Sequence, residues 1–220
     1  MLNARRVFTA ATVLGLSLPA HSVAAQSCYG TPSRGGLSVN YARVAFGSGV
    51  GGSGTLAGEH VAWTVGGRSV KYGASTTGFG GDTRLAFAFG SKSFKVCPAL
   101  GLDYEQRQWT VSAGKLSTMQ LSASGGIGAG YDVLVGDNIH VIPFASGRYQ
   151  FALVKFDFSA ANAATQATAD TLSGVHVQYG ALVQMKAVFA GFVGERRPPS
   201  SSASVFRAFA GITFAAPRKK

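Results

Sequence analysis

Three histidines stand in the body of the chain, His60, His140 and His176, and a fourth, His21, lies near its start. Histidine beside serine and a carboxylate could support acyl transfer, and histidines at helical spacing could bind zinc. Neither pattern is present. There is no HExxH, no GxSxG and no paired His/Cys ligand spacing, so no catalytic residue, no metal ligand and no cofactor site is expected. Gly49, Gly51 and Gly54 in GSGVGGSG satisfy GxGxxG, but a dinucleotide site needs a strand before it and a helix after it. Here a strand-like segment follows, and the stretch is expected to be a surface loop.

Cys28 and Cys97 are the two cysteines, with no CxxC. The N-terminus gives them a compartment. MLNARR carries Arg5 and Arg6, VFTAATVLGLSLPA is apolar, and SVAA offers small residues at Val23 and Ala25: a secretory signal over residues 1–25. In an exported chain an even cysteine count suggests a disulfide. A Cys28–Cys97 bridge would tether a tail, residues 26–36, and stabilise by about 2–4 kcal/mol.

The elements that position these residues are strands. Charged residues are 13% of the chain and glycine is 30 of 220 residues, and no apolar run reaches the roughly 20 residues of a spanning helix. Period-two alternation recurs from Leu37 onward. In Ser117–Tyr131 one face holds Met119, Leu121, Ile127 and Tyr131, and the other Thr118, Gln120, Ser122 and glycines. Phe94–Tyr104, Val175–Val183 and Val205–Phe214 divide in the same way. Ten segments are expected: Leu37–Phe46, Leu56–Val65, Ser69–Thr76, Thr83–Phe89, Phe94–Tyr104, Ser117–Tyr131, Ile139–Phe158, Val175–Val183, Ala187–Val193 and Val205–Phe214. Long connections (Gly47–Thr55, Thr77–Asp82, Glu105–Leu116, Ser159–Gly174, Gly194–Ser204) alternate with short ones, Gly66–Arg68 among them.

Strands apolar on one face, small and polar on the other and nearly free of charge fit a closed barrel in hydrocarbon, where every backbone polar group needs an internal partner. The expected fold is all-β: a closed antiparallel up-and-down transmembrane barrel over residues 37–220, with ten strands, or eight if two weak segments are not strands. Arg84, Lys95, Asp103, Glu105, Arg148 and Arg207 then fall on or near the lumen face, with His140 and His176. They would form either a network filling a narrow barrel or an anion-selective pore lining. A soluble, lipocalin-like binder of a greasy ligand is the alternative fold, with the apolar faces turned inward.

With the signal, these segments and the C-terminal SVFRAFAGITF in view, the chain resembles small bacterial outer-membrane β-barrel proteins, porin-like or OmpA-barrel-like. In that family the last strand alternates apolar residues and ends on an aromatic, as do Phe206, Ala208, Ala210, Ile212 and Phe214. The resemblance implies that the barrel-assembly machinery reads these residues. Six residues, AAPRKK, follow Phe214, where the family usually ends.

The resemblance implies an outer-membrane location and a non-enzymatic structural or surface role in the envelope. The other readings are a narrow diffusion channel and, in a different class, a membrane-embedded lipid-modifying hydrolase. Without Arg5 and Arg6 the chain has 18 basic against 9 acidic residues. The expected partners are therefore outer-membrane lipid and lipopolysaccharide, not nucleic acid, around a monomer.

Overall fold

A computed structural model describes residues 27–30, 35–44, 47–58, 60–73, 76–91, 93–111, 114–160, 166–197 and 200–214. The signal expected over residues 1–25, and the tail on either side of 27–30, lie outside the described residues.

Ten long strands run in chain order: β1 Gly36–Val44, β2 Gly47–Ala57, β3 Val61–Tyr72, β4 Thr76–Phe87, β5 Phe94–Val111, β6 Gly114–Tyr131, β7 Ile139–Ala160, β8 Gln166–Met185, β9 Val188–Arg197 and β10 Ser200–Thr213. Each pairs antiparallel with its neighbours in sequence. β10 also pairs with β1, from Gly36 opposite Thr213 to Arg43 opposite Phe206, so the sheet closes on itself. Two short strands, Phe89–Gly90 and Val133–Val135, lengthen the turns before β5 and β7. Eight strands are thereby eliminated.

The outer face is apolar. Leu37, Val39, Leu100, Leu102, Leu121, Ile127, Phe151, Leu153, Val175 and Phe192 are all exposed on it. Tyr131, Phe94 and Phe214 edge this belt near the end that holds Gly36 and Thr213, the terminal end. Tyr41 and Phe206 edge it towards the far end on β1 and β10, while Tyr149 and Tyr179 lie within it. This polarity is the inverse of a water-soluble barrel and overturns the lipocalin-like alternative, which needs the apolar faces inside.

The far end differs from expectation. Gly47–Thr55 is not a loop: it is most of β2, paired residue for residue with β1 and β3. Thr77–Asp82 lies within β4. The expected turn at Gly66–Arg68 is the middle of β3, and the chain reverses instead between Ala57 and Val61. The other long connections are mostly strand too: residues 105–111, 114–116, 159–160, 166–174, 194–197 and 200–204 of them all lie in strands. Glycine and short polar residues imitated loop chemistry, whereas here they are strand positions, and inward glycines among them face the next strand closely. A Cβ on Gly49 would lie 2.6 Å from the Ser69 carbonyl oxygen, and one on Gly51 would lie 2.5 Å from that of Gly67.

Strand length is uneven as a result. β5 to β8 have 18, 18, 22 and 20 residues, against 9 to 14 in the other six. A tilted strand crosses a bilayer in about 9–11 residues. The excess lies at the far end, where outward positions turn polar: Gln106 and Gln108, Ser117 and Lys115, Lys155 and Asp157, Ser173 and Thr171. Four strands therefore stand above the belt as one wall.

Candidate functional site: the closed lumen

At the terminal end, small residues face inward from β3 to β5 and from the turn after β4: Ala62, Ala86, Ala88, Cys97 and Ala99. The space they leave is filled by Cys28 and Tyr29, which belong to a single 3-10 turn, Ser27–Tyr29, packed against β5, β6 and β7. A disulfide joins Cys28 to Cys97 across 69 positions of sequence. The Tyr29 hydroxyl donates to the Cys97 carbonyl at 2.8 Å, and the Arg84 guanidinium lies 5.0 Å from the centre of its ring. The expected tail thus has a described portion, and it sits inside the barrel as a plug. Gly30 follows with φ +71°, and a Cβ there would meet the Phe144 ring at 2.5 Å. Glycine suits both the left-handed backbone and the space.

The opposite wall needs no plug because its own side chains are large. Ile142, Leu182 and Phe189 are buried together, with Phe209 against them. Three inward phenylalanines, Phe144, Phe189 and Phe209, each lie over a glycine of a neighbouring strand. A Cβ would come within 2.7 Å of Phe144 at Gly180, and within 2.6 Å of Phe209 at Gly191 and of Phe189 at Gly211. Ring over glycine lets a wide side chain lie flat in a narrow tube.

Above this layer the lumen is polar. Glu105 accepts from Arg68 Nη2 and from the Tyr72 hydroxyl, each at 2.9 Å, and from Arg107 Nε. Arg68 also reaches Asp82 at 3.6 Å and Asp103 at 3.8 Å. Across the barrel Glu195 meets His176 Nδ1 at 2.9 Å, accepts from Gln178 Nε2 at 2.8 Å, and pairs with Arg148 Nη2 at 3.4 Å. Gln150 Nε2 donates to Ser122 at 2.6 Å. Beside these networks lies a cavity of about 80 Å³, lined in part by Tyr29, Arg68, Asp82, Arg84 and Arg207.

Alternation along the strands turns Arg84, Lys95, Asp103, Glu105, Arg148 and Arg207 all inward. Asp103 and Glu105 meet Arg68, Arg148 meets Glu195, Arg84 stacks on Tyr29, and Arg207 lines the cavity. Lys95 is at the terminal end, near the disulfide. His140 is there too, 2.9 Å from Asp132 and partly exposed, far from the buried His176. Phe206, Ala208, Ala210, Ile212 and Phe214 all face outward. Arg68, Asp82, Arg107 and Glu195 were missed by the sequence reading, each because its segment read as turn or loop. For two of them the signal was two residues away: Arg107 and Glu105 share a face, as do Asp82 and Arg84, whereas Arg68 and Glu195 had no such neighbour among the expected lumen charges.

No family model and no curated protein matches the chain. Among solved structures, the translocator domain of the autotransporter NalP from Neisseria meningitidis aligns over 96% of this chain and 95% of its own, at 11% identity with a TM-score of 0.52. The fold is that of outer-membrane β-barrel proteins. The β domain of the Bordetella autotransporter BrkA (12% identity, 82% of this chain and 100% of that one, TM-score 0.42) is more distant. So is Ail of Yersinia pestis (9%, 82% and 96%, TM-score 0.39). Of these three, the NalP likeness carries the fold.

Proposed function

We propose that the chain is an integral outer-membrane barrel whose lumen is closed by its own N-terminal segment, and that its role in the envelope is structural or surface-borne and non-enzymatic. The observation that carries this reading is the disulfide-tied turn at Cys28 and Tyr29, seated among alanines where an open channel would need space. In this reading the terminal end faces the periplasm, and Phe206 to Phe214 present the last strand to the barrel-assembly machinery. The wall of β5 to β8 is the contact surface that long loops would otherwise supply. Arg43, Lys71, Lys115, Lys155 and Arg196 are exposed on outward-facing positions towards the far end, suited to the phosphates of anionic lipid or lipopolysaccharide. The protein works as a monomer.

Two features argue against a hydrolase. His140 and His176 are held by different carboxylates in different parts of the barrel. Among the described residues, no serine hydroxyl is hydrogen-bonded to either.

The test is conductance of the refolded protein in planar bilayers, with heat-shifted migration on gels as the folding control. A folded barrel that stays silent is the expected result. Steady ion-selective steps from the oxidised protein would replace this reading with a narrow diffusion channel.

A further inference from the structure

The charges around the 80 Å³ cavity do not balance. Three guanidinium groups line it, from Arg68, Arg84 and Arg207, and one carboxylate, from Asp82. Arg68 is already shared among Asp82, Asp103 and Glu105. Among the described residues neither Arg84 nor Arg207 has a carboxylate oxygen within 4.0 Å. Arg84 has Arg148 and Arg207 as like-charged neighbours and Asp82 and Asp103 as opposite ones, but both of those carboxylates are already engaged by Arg68, and Arg148 carries a buried Nε with no hydrogen-bond partner. The lining of the cavity itself therefore has more guanidinium donors than carboxylate acceptors.

Arginine does not escape such a site by losing its proton. An enclosed guanidinium without a counter-charge is costly. A water molecule needs about 10–15 Å³ of space measured in this way, so the cavity has room for a group of several heavy atoms. Its donors also have a particular form. The guanidinium fork matches two oxygens held on one centre, and hydroxyls of Ser38, Ser53 and Thr64 line the same space.

We propose that this cavity binds a small oxyanion, of the phosphate, sulfate or carboxylate class, held by Arg84 and Arg207 between the plug and the wall of β1 to β4. Tyr29 forms one side of the site, so the bound anion also fastens the plug in place by neutralising the arginine stacked on it. The inference goes beyond the closed-barrel reading and does not depend on it: the same site would bind in a conducting barrel.

The test is thermal unfolding of the refolded, oxidised protein in detergent, followed by loss of the heat-shifted band. Sodium phosphate or sodium sulfate replaces sodium chloride at constant ionic strength. The expected result is a saturable rise in midpoint, half-complete at millimolar anion and about 2–4 °C in extent. The rise should be abolished in Arg207→Gln and in Arg84→Gln, and retained in Arg107→Gln, whose guanidinium meets Glu105 outside the cavity. A rise that grows without saturation, as excluded salts produce on any protein, would overturn the site. So would a saturable rise that persists in Arg207→Gln. If Arg84→Gln does not yield a heat-shifted band, Arg207→Gln and the shape of the wild-type titration decide. Conductance is measured on the same samples, so failure of the anion site and failure of the closed lumen are told apart.

Discussion

Glu195 is the residue on which one side of the lumen turns. It is 5% exposed and takes hydrogen bonds or ion pairs from His176, Gln178 and Arg148. Removing one partner of a buried charge pair strands the other without solvent to replace it. Glu195→Ala is therefore expected to destabilise the barrel by about 3–5 kcal/mol, measured by urea unfolding in lipid or detergent. The Lys155–Asp157 pair provides the contrast at 3.3 Å, with side chains 51% and 32% exposed. Water and ions screen it, so Asp157→Ala is expected to cost under about 1 kcal/mol. Equal losses at the two sites would mean that the lumen is wet throughout and that Glu195 is not a structural centre.

At the scale of elements, alternation was the reliable signal wherever inner and outer faces differ in both size and polarity. β6 and β8 read directly, because Met119, Leu121, Ile127 and Tyr131 oppose Thr118 and Ser122, and Val175, Val177 and Tyr179 oppose His176 and Gln178. β2 did not read, since glycine and serine occupy both of its faces and leave nothing to alternate. β3 was cut at Gly66 and Gly67, where glycine marks no reversal: a Cβ on Gly66 would meet the Asp82 carboxylate at 2.9 Å, and Gly67 sits in mid-strand with ordinary space around it. The same error hid the network around Glu105 and Glu195. The plug was half legible: two cysteines in an exported chain suggested the bridge, while Tyr29 gave no pattern to find. The far-end extensions were lost because above the belt both faces of a strand are polar. That polarity makes a prediction of its own. Shortening the β7–β8 hairpin by removing residues 157–168 takes away strand that stands beyond the belt. The protein is expected to keep its heat-shifted migration and to lose whatever surface contact the wall makes. Loss of the folded band would show that β7 and β8 need their full length to close the barrel.

The whole molecule is a tube with its apolar surface outside, and the ordinary logic of a core is reversed across its wall. Inward positions tolerate Arg68, Arg84 and Arg148 because other polar groups and the cavity surround them. Outward positions at mid-belt have only hydrocarbon to face. A lipid-facing arginine costs about 2–4 kcal/mol at the bilayer midplane and about 0–1 kcal/mol near the interface, so a single strand can report where the membrane lies. On β6, Ile127 is exposed in the middle of the belt and Ser117 projects on the same face beyond it. The two positions are ten residues apart on one strand, so they share its pairing and differ chiefly in depth. Ile127→Arg is expected to lose about 2–4 kcal/mol of unfolding free energy in lipid vesicles, and Ser117→Arg under about 1 kcal/mol. The same pair in detergent micelles, where water reaches the belt more readily, should differ by less. If the two substitutions cost the same in vesicles, the exposed apolar band is not what the bilayer meets, and the barrel would have to cover that band with protein instead.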